Sequence, residues 1–151
     1  GVDPNTGTVG NALTDNTWFD GVGNAVKSLS AGSKLFTKSV FDGVGRQTKQ
    51  FVGFDLDETA YAEAFSVSDD TILEQTETDF DATNNVIQTT HRQRYHNATG
   101  TGELTTPSGS QPKARVTYAA NYSDAIGRFL AEALESESEE EEEEEEEFGE
   151  E

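Results

Sequence analysis

The sequence predicts an α+β fold, with an N-terminal helical segment, a small and mainly antiparallel sheet, a C-terminal helix and a disordered acidic tail. Three observations lead to this prediction. Residues 19–50 carry an apolar stripe that is interrupted by glycines, as in helices joined by hinges. Residues 67–120 are rich in Thr, Val, Ile and Tyr with polar alternation, which is typical of strands. Nine consecutive glutamates at 139–147 repel one another and favour an extended chain.

Composition divides the chain into an extended arm (1–17), a single α+β domain (18–134) and a polyglutamate tail (135–151). The net charge is −20, and 14 of the 30 acidic residues lie from Glu132 onward. The apolar fraction of 32% is below the average of about 45–50% for globular proteins. We therefore expect a thin core, or one that other subunits complete. An acidic, lysine-poor surface is also typical of proteins from extreme halophiles.

The N-terminal segment contains an imperfect repeat. The sequence Phe-Asp-Gly-Val-Gly occurs at residues 19–23 and again at 41–45. A helix-compatible stretch with a lysine follows each copy, at 24–28 and 46–50. The favoured interpretation is two loop-to-helix entries in a helical hairpin. The alternative interpretation is a pair of equivalent contact elements in an assembly. A solenoid is not expected, because two copies of the repeat are too few for one.

Four stretches are predicted as strands: residues 71–80, 86–95, 103–106 and 114–119. Most of their positions are polar on both faces, so we expect this sheet to need the N-terminal helices or neighbouring subunits to bury a surface.

Two further helical stretches are predicted. Ala60, Tyr61, Ala64 and Phe65 could line one face of a short helix. Ser123 is a suitable N-cap for the C-terminal helix, whose apolar stripe would consist of Ile126, Phe129, Leu130 and Leu134.

One short motif has a chemical interpretation. The sequence Phe-Asp-Leu-Asp-Glu-Thr at 54–59, preceded by the apolar residues 51–53, resembles the first motif of haloacid-dehalogenase-like phosphatases. The resemblance covers about nine residues and implies a parallel α/β fold, Asp55 as the nucleophile, Asp57 as the general acid/base and Mg²⁺ as the metal. The other interpretation is a strand end followed by an acidic helical turn. We favour that one, because the family's later motifs have no counterpart downstream of Thr59.

The only basic cluster lies on the predicted strand 86–95 and just beyond it. Arg92, Arg94 and His96 share one face of an extended chain, and they are candidates for a strip that binds acidic partners. The corresponding acidic partner could be the tail of the same or a neighbouring subunit, through residues such as Glu139, Glu140, Glu141, Glu142 and Glu143. The simpler interpretation is a charged strand face in an acidic protein.

The remaining features indicate a non-enzymatic role. The chain has no cysteine, which excludes disulfides and thiolate sites, and we predict no metal and no cofactor. No apolar run reaches the about 18 residues of a membrane span. We expect a structural subunit of a homo- or hetero-oligomeric assembly in a halophilic setting. The most concrete form of this expectation is a virion protein of a haloarchaeal virus: a capsid-associated, connector or tail protein. It would be located in the virion or in the cytoplasm of the halophilic host. The alternative is an acidic interaction protein or chaperone that binds basic partners through its tail; nucleic acid is an unlikely partner.

Overall fold

A computed structural model describes residues 4–7, 10, 12–123 and 129–130. Seven antiparallel strands form one sheet, and each strand pairs with its neighbours in sequence. The strands are β1 (Asn16–Phe19), β2 (Ala25–Leu29), β3 (Phe36–Phe41), β4 (Gln47–Phe54), β5 (Thr71–Phe80), β6 (Val86–Arg94) and β7 (Ala114–Ala120). The protein is therefore a β-meander, and the predicted α+β fold is wrong.

The predicted N-terminal helical segment is where the error is largest. Residues 19–50 contain β2, β3 and the first half of β4, and all but the first residue of each of the stretches 24–28 and 46–50 lies in a strand. The only helical element in the described residues is a 3₁₀ helix, Tyr61–Phe65. None of those residues forms a helix that is long and apolar enough to cross a membrane.

The glycine repeat forms hairpin turns. In residues 20–24 and 42–46 the aspartate side chain accepts backbone N–H groups from two and four positions later, at 2.8–3.0 Å. Residues 81–85 make the same bonds and form a third copy of the turn. Its positive-φ position is Asn84 (φ 68°) where the other two turns have glycine, and asparagine tolerates this conformation better than most residues. All three turns lie at the same end of the sheet, since each joins an odd-numbered strand to the next.

The connectors at the other end fold over one face of the sheet. They lengthen along the chain, from residues 30–35 to 55–70 and then 95–113. We call residues 55–70 the strap. Beneath the connectors lies the core, whose buried residues are Phe36, Phe51, Ile72, Leu104 and Ala114. We call this side of the sheet the covered face.

The opposite side, which we call the open face, is polar. Its central row of paired residues crosses five strands and consists of Ser39, Gln50, Thr76, His91 and Thr117. None of these side chains is buried. A polar open face opposite a face that carries the core is typical of an antiparallel sheet packed on one side.

The C-terminal part of the sequence prediction is correct for some strands only. The predicted strands 71–80, 86–95 and 114–119 correspond to β5, β6 and β7, whereas residues 103–106 lie in a connector. The predicted helix from Ser123 is wrong where it is described, since β8 (Tyr122–Ser123) pairs with β9 (Phe129–Leu130). The polyglutamate tail lies outside the described residues.

Candidate functional site

The candidate site is a buried ionic cluster between the covered face and the strap. It begins with two lysines on neighbouring strands. Lys27 on β2 and Lys38 on β3 are directly opposite each other in the antiparallel pairing. Both point to the covered face, and Lys38 pairs in turn with Phe51 of the core. Because the strap lies over this face, both lysine side chains are removed from water: the residues are 6% and 2% exposed.

Lys38 lies at the centre of the cluster. Its Nζ donates to Glu58 Oε2 at 2.8 Å and to Asp70 Oδ2 at 2.6 Å. It also donates to two backbone carbonyls of the strap, Glu63 O at 2.8 Å and Ser66 O at 2.7 Å. A single ammonium group thus holds the strap against the sheet at four points.

Lys27 completes the cluster from the next strand. Its Nζ donates to Glu58 Oε1 at 2.8 Å, so each oxygen of Glu58 accepts from a different lysine. The same Nζ lies 4.5 Å from the ring centroid of Trp18 and 5.2 Å from that of Phe36. Aromatic faces attract cations, so these rings stabilise the charge that burial disfavours.

The two carboxylates of the cluster respond differently to burial. Burial alone would raise the pKa of Glu58, but the hydrogen bonds from Lys27 and Lys38 outweigh it and lower that pKa. For Asp70, burial dominates and raises the pKa to about 6, since the hydrogen bond from Lys38 offsets only part of it. The nearby charges of Glu58 and Asp55 raise the pKa of Asp70 further.

A third carboxylate, Asp55, lies at the edge of the cluster. Oxygens of Asp55, Glu58 and Asp70 come within 4.8 Å of one another, and such oxygens are the ligands that Ca²⁺ and Mg²⁺ prefer. However, both oxygens of Glu58 and one of Asp70 already accept from lysine. The two ammonium groups therefore already supply positive charge to Glu58 and Asp70.

The phosphatase-like motif does not form the site that the resemblance implies. Asp55 follows β4, which pairs with antiparallel strands on both sides, whereas that family needs a parallel α/β sheet. Asp55 Oδ1 accepts the backbone N–H of Asp57 at 3.0 Å, and Asp57 is exposed. The motif is thus the start of the strap. Its residue Glu58 is the one that forms ion pairs with both lysines of the cluster.

The predicted basic strip is divided among separate contacts. Arg92 Nε donates to Glu77 Oε2 at 2.7 Å on the covered face. Arg94 donates to the carbonyl oxygens of Ile72, Ala98 and Gly100. His96 is exposed in the turn after β6. Both arginines therefore hold neighbouring segments of the protein, and their binding of acidic partners, like that of tail residues 139–143, stays a prediction.

A cleft of about 540 Å³ lies beside the cluster. The strap forms one wall, with Ala64 and Phe65, and the sheet forms another, with Lys38 and Phe51. Glu103 lies at the third side and accepts from Lys49 Nζ at 3.0 Å. The position of the strap therefore sets the width of this cleft.

The chain matches no protein-family model, no curated protein and no solved structure. Its function has therefore to be argued from its own residues.

Proposed function

We propose that the chain is a non-enzymatic structural subunit that joins a larger β-assembly through the free edge of β7. The observation that carries this proposal is the regularity of that edge. β7 pairs with β6 over its whole length without a register shift, and no strand pairs with its other side among the described residues. An unpaired, regular edge presents a row of N–H and C=O groups to which another strand can bond.

The hydrogen bonds at the two ends of β7 show which groups face outward. Asn121 N donates to Ile87 O at 2.8 Å, and Lys113 O accepts from Tyr95 N at 3.0 Å. In an antiparallel pair the bonding direction alternates along the strand, so the odd-numbered residues of β7 bond to β6. Within the described part of the chain, the even-numbered residues of β7 direct their N–H and C=O groups away from β6: Ala114, Val116, Tyr118 and Ala120. Ala114 and Ala120 are buried, at 5% and 6% exposure, so the accessible stretch of this edge is residues 116–118.

Two further features support a structural role. β7 contains no proline and no bulge, two of the features that protect an edge strand, and Arg115 is its only charged residue. In addition, the buried carboxylates Glu58 and Asp70 are paired with ammonium groups, which supports a role for them in holding the fold.

Pairing between copies has two geometries. Two β7 edges can meet around a two-fold axis and give a closed dimer. Alternatively, β7 can pair with β1, the opposite edge, and give a head-to-tail series. Hetero-oligomeric pairing uses the same edge. The virion setting and the halophilic source stay predictions. They motivate measurements in both molar and about 0.15 M salt, because these concentrations screen the interactions between charged groups to very different extents.

We expect Tyr118→Pro to abolish self-association while leaving the fold intact. Proline removes an N–H that points outward, which an edge strand tolerates. Tyr118→Ala is the matched control, because it removes the same ring but keeps the N–H. Light scattering over a concentration series measures the particle mass of each protein.

The wild type and Tyr118→Ala should form a dimer or a series of multimers, and Tyr118→Pro should be a monomer. Thr117→Pro serves as a second comparison, since its N–H faces β6 and its loss should destabilise the sheet. A wild-type chain that stays monomeric at both salt concentrations would contradict self-association through β7.

A further inference from the structure

The strap is held by a buried cluster in which carboxylates outnumber ammonium groups. Asp70 Oδ2 accepts from Lys38 Nζ at 2.6 Å, and the same Nζ also donates to three other oxygens of the strap. One of these, the carbonyl oxygen of Glu63, has a second donor in Ser66 N at 3.1 Å. We propose that Asp70 takes up a proton when the strap closes, and that this proton holds the strap more firmly in mild acid than at neutral pH.

The charges of the ionic cluster also indicate that Asp70 takes up a proton. The cluster contains three carboxylates, Asp55, Glu58 and Asp70, and two ammonium groups, Lys27 and Lys38. One negative charge is in excess, and an uncompensated charge in a buried place is costly. A proton from solvent on Asp70 balances the charges of the cluster.

Of the three carboxylates in the cluster, Asp70 is the best placed to accept this proton. Both oxygens of Glu58 accept from ammonium groups, and Asp55 is only half-buried at the edge of the cluster. Asp70 is 2% exposed, has one lysine contact, and has its pKa raised to about 6, first by burial and then by Glu58 and Asp55.

Among the residues that the structure describes, Asp70 forms no second ion pair. Lys38 is the charged group that β3 directs at it. The connector 95–113 meets Asp70 through the backbone, where Gly102 N donates to Asp70 O at 2.9 Å. The small cavity beside Asp70 is lined by further acidic residues, among them Asp55, whose charge raises the pKa of Asp70.

The direction of the pH effect follows from the two states of the strap. With the strap closed, the pKa of Asp70 is about 6, against an ordinary value of 3.8 when water reaches the side chain. The closed state therefore binds more protons between these values, so closing is favoured as the pH falls through 6, and the gain is complete below 3.8.

Glu58 acts in the opposite direction at lower pH. Because the closed state lowers its pKa below the ordinary 4.5, the support from Glu58 is present above 4.5 and is lost as the pH falls through its lowered pKa. The strap should consequently be held most firmly at about pH 4–5.

Hydrogen exchange of the backbone amides in the strap tests the proposal, with each rate corrected for the intrinsic pH dependence of exchange. We expect the protection of the strap to be about tenfold higher at pH 5 than at pH 7.5, from the ratio of proton binding in the two states. Asp70→Asn, which keeps an acceptor for Lys38 and cannot titrate, should remove this change. Asp69→Asn, at a neighbouring exposed carboxylate, should retain it.

Equal protection of the wild-type strap at the two pH values would overturn the proposal, as would a tenfold change that persists in Asp70→Asn. If that variant does not fold, the wild-type protein decides by itself. A carbon-13 NMR titration of the Asp70 carboxyl with a midpoint near pH 6 supports the proposal, and a midpoint at or below 3.8 overturns it.

Discussion

Lys38→Met is expected to lower the free energy of unfolding by about 3–5 kcal/mol at pH 7.5, because it removes one partner of a buried ionic cluster. Methionine fills a similar volume, so the loss comes from the charges and not from a cavity. Asp70 loses its only lysine, whereas Glu58 retains Lys27. The carbonyl oxygen of Ser66 loses its Lys38 donor, and that of Glu63 retains only the N–H of Ser66. Buried acceptors without donors are costly in their own right.

The loss should be smaller at pH 5. Without Lys38, Asp70 is neutralised by a proton, and mild acid supplies it at a lower cost in free energy. Urea unfolding of the wild type and the variant at both pH values measures the difference. Lys34→Met is the matched control, since Lys34 is exposed and the same change there should be within about 0.5 kcal/mol of the wild type. Similar losses in the two variants would show that the cluster does not stabilise the fold.

Gly53→Ala is expected to destabilise the protein by about 3 kcal/mol, the upper part of the range for inserting a methyl group into a packed core. Gly53 lies in β4 between Phe36 and Ile72, at a register shift of the β4–β5 pair. A Cβ atom there would lie 2.5 Å from the backbone oxygen of Thr71 and 3.1 Å from Ile72 Cα. Backbone atoms of a central strand cannot move aside as a flexible side chain would.

Gly43→Ala provides the comparison for this effect. Gly43 lies in the second hairpin turn, where an added Cβ meets nothing within 4 Å and the backbone needs no positive φ. Replacing glycine there should be neutral or slightly stabilising, because alanine restricts the unfolded chain. Thermal and urea unfolding of both variants measure the difference. A Gly53→Ala protein as stable as Gly43→Ala would mean that β4 and β5 are not packed so closely.

The strands that sequence reasoning found are those with an undisturbed polar and β-branched pattern. β5, β6 and β7 contain threonine, valine or isoleucine among polar residues, and this composition predicts extended chain from local preference alone. β2 and β3 were missed because lysine stands at the inward positions 27 and 38. Charged residues on the covered face interrupt the alternation of apolar and polar residues that is expected of a strand. The other apolar residues of this segment are spaced as on one face of a helix, and a helix was therefore predicted.

The equivalence of the third turn to the other two was missed for a related reason. Its sequence has Asn84 where the other two copies have glycine. The third copy of the repeat is therefore recognisable from the hydrogen bonds of its aspartate but not from its amino-acid sequence. The signal that was available is Phe-Asp at residues 80–81, with asparagine at 84, which also adopts positive φ.

The ionic cluster could not be predicted from the sequence, because its members lie far apart along the chain. Only the register of β2 and β3 brings Lys27 opposite Lys38, and only the path of the strap brings Glu58 and Asp70 to them. The scarcity of lysine in an acidic chain was a usable hint, since two of the five lysines lie at these positions.

The order of the strands in the sheet has a consequence for how the chain acquires its structure. Every strand of the main sheet pairs only with strands that precede or follow it directly in sequence. Pairings of this kind close short loops, which costs little chain entropy and favours rapid folding. The first hairpin can form before the last strand has been synthesised, and each later hairpin then has a finished edge on which to grow. The three aspartate turns are therefore natural starting points for folding during translation, ahead of the contacts that the strap makes with the sheet.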